Sequence, residues 1–132
     1  MNVIIIKDEN NDEIKNYIDN VEEISKTIYG NKIKFYFEKA SKTKIDIYVI
    51  ISNNIEFIEE NFSSIKSKDN ILIVTNKFEP KHILSCLLLS ENLFSMRKGE
   101  EYILDKINHV YNLTKDKVVI RRKSVKCWIM LI

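Results

Sequence analysis

An apolar, largely β-branched run from Ile45 to Ile51 constrains this chain more than any other stretch. Only Asp46 interrupts it, and Ser52-Asn53-Asn54 ends it. A continuous run of this length, closed by turn formers, reads as a strand buried on both faces. Helical patterns lie on either side, so the run belongs at the centre of a parallel sheet. In open α/β sheets ligands bind beyond the carboxyl ends of such strands. Residues Ile51 to Asn54 are therefore where a site is expected.

The flanking sequence supports that placement. Val3 to Ile6 is a second apolar run, ended by Lys7-Asp8-Glu9-Asn10-Asn11. Ile14, Ile18, Val21, Ile24 or Ser25, and Ile28 then recur at three- and four-residue intervals, the mark of an amphipathic helix. Asn10 with Glu13 resembles a capping pair at its start, and Gly30 suits its stop. Ile33 to Phe37 alternates and is aromatic, as in a strand near a sheet edge. The connection from there to the central run is too short for a full crossover helix. Either a shrunken crossover or a β-hairpin through Ser41-Lys42-Thr43 joins the two, and the shrunken crossover is the preferred reading.

After the central run, Ile55, Ile58, Phe62 and Ile65 predict a short helix capped by Asn53 or Asn54. Ile71 to Thr75 is another fully apolar strand. Pro80 suits the first turn of the next helix, whose buried face is Ile83, Leu84, Leu87 and Leu88. Leu93 to Arg97 is a weaker strand, and Glu100 opens a helix with Ile103, Ile107 and Val110 on its inner face. Alternation of strands and helices predicts an α/β, three-layer sandwich around a five-stranded, mostly parallel sheet in residues 1–113. Residues 114–132 read as a basic, β-rich tail or extra hairpin.

Composition narrows the function classes. Gly30, Gly99 and Pro80 are the only glycines and proline in 132 residues, which disfavours a turn-rich all-β fold or a disordered linker. The heavy Ile, Lys and Asn usage looks like the codon bias of an AT-rich bacterial genome. Residues 114–132 hold six Lys/Arg against one acid, a net of +5, while the other 113 residues carry 15 basic and 18 acidic groups. Arg121, Arg122, Lys123 and Lys126 are the residues that would meet nucleic acid or an acidic partner; a solvated basic edge is the plainer reading. Cys86 and Cys127 lack disulfide or metal spacing, and a reducing cytoplasm is the expected compartment. No apolar run is long enough for a membrane span. The terminal run Cys127 to Ile132 is either a last strand or the start of a continuation.

Three groups are candidates for chemistry. Asp8 and Glu9 follow the first strand, where carboxylates can hold a hard cation or simply solvate a helix start. Thr75 and Lys98 follow the fourth and fifth strands, where a hydroxyl and an ammonium suit a phosphoryl group. Ser52 ends the central strand, but neither His82 nor His109 is placed to act as its base, and no Gly-x-Ser-x-Gly elbow exists. The Gly-rich phosphate loops and His/Cys clusters of nucleotide and zinc sites are missing, so neither cofactor nor metal is expected.

This order of strands and rim residues resembles the receiver domain of two-component response regulators. Ile71-Leu72-Ile73-Val74-Thr75-Asn76 is similar to that family's fourth strand, with Thr75 in the switch position. Phe94-Ser95-Met96-Arg97-Lys98-Gly99 is similar to its fifth strand with its Lys. The resemblance implies a flavodoxin-like sheet over residues 2–113, with Asp8, Glu9, Ser52, Thr75 and Lys98 along the rim. It also departs from the family pattern. The phosphoacceptor position falls on Ile51 or Ser52, where no Asp stands, the loop after it lacks the usual Pro and Gly, and Lys7 takes the place of an acid. The implied protein is a degenerate receiver: a non-catalytic signalling module that acts on a protein partner, or as a homodimer through the helix 4–strand 5–helix 5 face. The tail from Lys117 onwards resembles the opening strands of LytTR-type DNA-binding domains. Alternative readings are a fragment of a DNA-binding regulator and a small α/β enzyme using Asp8, Ser52 and Thr75.

Overall fold

The computed structural model describes residues 1–8, 11–38, 43–66, 70–76 and 92–113. Five strands form one sheet: β1 (Asn2–Lys7), β2 (Lys34–Tyr36), β3 (Ile47–Ile51), β4 (Ile71–Val74) and β5 (Leu93–Phe94). Their spatial order is β2-β1-β3-β4-β5, and every pairing is parallel. The chain is an α/β sandwich of flavodoxin-like topology. Helices α1 (Asp12–Tyr29) and α2 (Ile55–Ser64) follow β1 and β3, and a third helix, α3, spans residues 100–113.

The expected central strand is central in fact, with β1 and β4 on its two sides. Its register fixes both faces of the core. Ile47, Val49 and Ile51 point to one face, where they meet Val3, Ile5, Leu72 and Val74 beneath α1 and α3. Ile14, Ile18 and Val21 of α1 and Ile103, Leu104 and Ile107 of α3 close that side. Ile50 points the other way, to Ile71 and Ile73 beneath Ile58 and Phe62 of α2. A strand that must be apolar in both directions reads as an unbroken run, because its side chains alternate between two buried layers.

Several expectations are refined. The sheet is wholly parallel among the described strands, not merely mostly so. A hairpin between β2 and β3 is excluded, because β1 lies between them and pairs in parallel with both. The N-cap of α1 is Asn11 rather than Asn10: its side-chain carbonyl accepts from the Glu13 and Ile14 N–H groups at 2.9 and 3.3 Å. Asn54 caps α2, accepting from Glu56 N–H at 3.0 Å. Gly30 ends α1 at φ 60°, a backbone state that costs other residues most. The fifth strand stops at Phe94 instead of reaching Arg97. There the Ser95 side chain accepts from Arg97 N–H and caps a 3₁₀ turn, Met96–Lys98, which leaves the sheet. The helix expected after Pro80 and the tail hairpin lie outside the described residues.

Two measurements test this core. Ile50 is fully buried between the sheet and α2. Ile50→Ala should cost about 2–5 kcal/mol in urea unfolding, from lost burial plus a residual cavity. Tyr17 is buried with its hydroxyl unpartnered among the described residues. Burial, then the charge of Glu100, pushes its phenol well above the ordinary tyrosine range. The unfolded chain would release this proton first, so stability should fall as pH rises above about 10. Tyr17→Phe should flatten that alkaline decline and leave neutral-pH stability unchanged or higher, as read from thermal melts across pH.

Candidate functional site

Parallel register brings the carboxyl ends of four strands into line. Lys7 pairs with Ile51, Ile51 with Val74, and Val74 with Phe94. The backbone ladder runs one residue further. Asp8 N–H donates to Ile51 C=O at 3.3 Å, Ser52 N–H to Val74 C=O at 3.2 Å, and Thr75 N–H to Phe94 C=O at 3.0 Å. The next residue of each strand is thus held in a row: Asp8, Ser52, Thr75, Ser95. Ser52, Thr75 and Ser95 are each the first polar side chain after an apolar run, and Asp8 is the second after Lys7, so the rim follows from where hydrophobicity stops.

Among the described residues, side chains along this row bond to one another and to Asn53, Asn54 and Asn76. The Ser52 hydroxyl donates to Asp8 Oδ2 at 3.3 Å and accepts from Asn54 N–H at 2.9 Å. Asn53 Oδ1 accepts from Asn76 N–H at 2.8 Å and from the Thr75 hydroxyl at 3.3 Å. Asn76 then links outward in two directions. Its Oδ1 accepts from the Ser95 hydroxyl at 2.6 Å, and its Nδ2 donates to Glu13 Oε1 at 3.0 Å. Ser52 is 0% exposed and Thr75 1% exposed, so neither hydroxyl is presented to solvent. Buried polar groups must be paired, and here the pairing joins loops that arrive from β1, β3, β4 and β5.

The expected site residues separate in this geometry. Asp8 and Ser52 are brought together directly. Thr75 stands in the same row and reaches Asn53. Lys98 is exposed, ends the 3₁₀ turn, and places its ammonium 5.8 Å from the centroid of the Tyr102 ring. Lys106 stands over the same ring at 5.8 Å, and Tyr102 packs edge-on against Phe94 at 4.9 Å. Lys7 Nζ lies 5.2 Å from the centroid of the Phe37 ring. Glu9, Arg121, Arg122, Lys123 and Lys126 lie outside the described residues.

Asn53 falls inside the stretch where a site is expected, and Glu13 reads only as a capping residue; sequence reasoning gives Asn76 and Ser95 no role of their own. One signal was available: Ser52-Asn53 and Thr75-Asn76 repeat a hydroxyl–amide pair directly after two apolar strands. Glu13 had no such signal, because its partner is 63 residues away.

Chemically, the row and its asparagines are a set of hydrogen-bonded hydroxyls and amides. Among the described residues, Asp8 is its only carboxylate apart from Glu13 at the margin. Among the described residues no group of three His, Cys, Asp or Glu side chains is gathered as metal ligands, and no helix is long and apolar enough to cross a membrane. No protein-family model matches the chain, and no curated protein matches it in sequence.

Substitution at Ser52 tests the network. Ser52→Ala strips a partner from Asp8 and from Asn54 N–H and should cost about 1–3 kcal/mol. Ser52→Asp sets a second carboxylate beside Asp8 and should cost more at neutral pH. Mutual repulsion would raise the carboxyl pKa values of that pair in the folded state, so its deficit should shrink as pH falls through the carboxylate range. Denaturation midpoints of the two variants at pH 7 and pH 4 provide the check.

Proposed function

We propose that the protein is a receiver-like signalling or interaction module. It works by protein–protein contact, performs no catalysis of its own, and carries Ser52 where a receiver has its phosphoacceptor carboxylate. The observation that carries this reading is the state of Ser52: at the carboxyl end of the central strand of a β2-β1-β3-β4-β5 sheet, fully buried and bonded to Asp8 and to Asn54 N–H. A hydroxyl there cannot form an acyl phosphate. The groups that would surround a phosphoryl oxygen are turned to other uses, since Thr75 bonds Asn53 and Lys98 lies over Tyr102.

In place of a phosphorylation switch, the rim network holds the strand-end loops in one arrangement. The module then offers a fixed surface to a partner. A second copy is one such partner, docking on the face built from β5 and α3, where Leu113 is 44% exposed.

Incubation with acetyl phosphate or beryllofluoride and Mg²⁺ tests the proposal. Intact-mass analysis should show no adduct, and amide spectra should show no saturable change at Asp8, Ser52 or Thr75. A stoichiometric, acid-labile adduct would overturn it. Sedimentation velocity over a hundredfold concentration range tests self-association, and a single monomeric species throughout would remove the homodimer arm.

A further inference from the structure

We draw no further inference here: the strongest candidate, the small cleft between the C-terminal end of α1 and β2 where the buried Ser25 hydroxyl lacks a hydrogen-bond partner beside Lys26 and Lys34, carries nothing because that hydroxyl is closed off from solvent and two exposed lysines select no ligand class.

Discussion

Everything at the rim depends on the parallel pairing of β3 with β1 and β4. In that pairing Lys7, Ile51 and Val74 stand level, and the backbone bonds of Asp8, Ser52 and Thr75 extend the ladder one residue past the strands. Evenly spaced parallel bonds transmit position along the row, so four polar side chains from distant parts of the chain become neighbours without any long-range sequence motif. A one-residue slip of β3 would turn Ile47, Val49 and Ile51 out of the layer beneath α1 and α3. The cost of that misplaced apolar surface is what fixes the register.

The same rule explains why the rim is polar yet closed. Apolar side chains fill both layers up to Ile51 and Val74, and the next residue must leave the core while its neighbours still exclude water. Ser52 and Thr75 sit on that boundary. A buried hydroxyl without a partner costs about 1–3 kcal/mol, and the neighbouring Asn53, Asn54 and Asp8 remove the cost. Tyr17 shows the contrast, since its hydroxyl is buried with no such partner among the described residues.

Among the described residues, the two faces of the sheet are covered unequally. One face is covered by α1 and α3, whose buried stripes meet the residues of four strands. The other has α2 over β3 and β4, and the ten-residue passage from β2 to β3 brings no described helix to cover β1. An α/β sandwich ordinarily draws one helix from each crossover, and a ten-residue passage is near the minimum length for one.

The sequence alone determined the elements and the faces they bury. Period-two alternation, 3.6-residue spacing, the Gly30 stop and the nearly continuous run at Ile45–Ile51 are local properties, and local sterics and hydrophobicity read them directly, while the α1 cap fell one residue later than expected, on Asn11. It also placed Ser52, Thr75 and Asp8 at strand ends, where each run of apolar residues stops. Tertiary structure decided which of these groups meet. Ser95, rather than Lys98, completes the row at β5, because its side chain caps a 3₁₀ turn that carries Lys98 out of the sheet to Tyr102. Asn53 and Asn76 became the links between loops, and Glu13 joined them from α1, across separations of 23 and 63 residues. Such pairings depend on strand order and register, and those are set by the packing of both sheet faces together rather than by any one stretch of the chain.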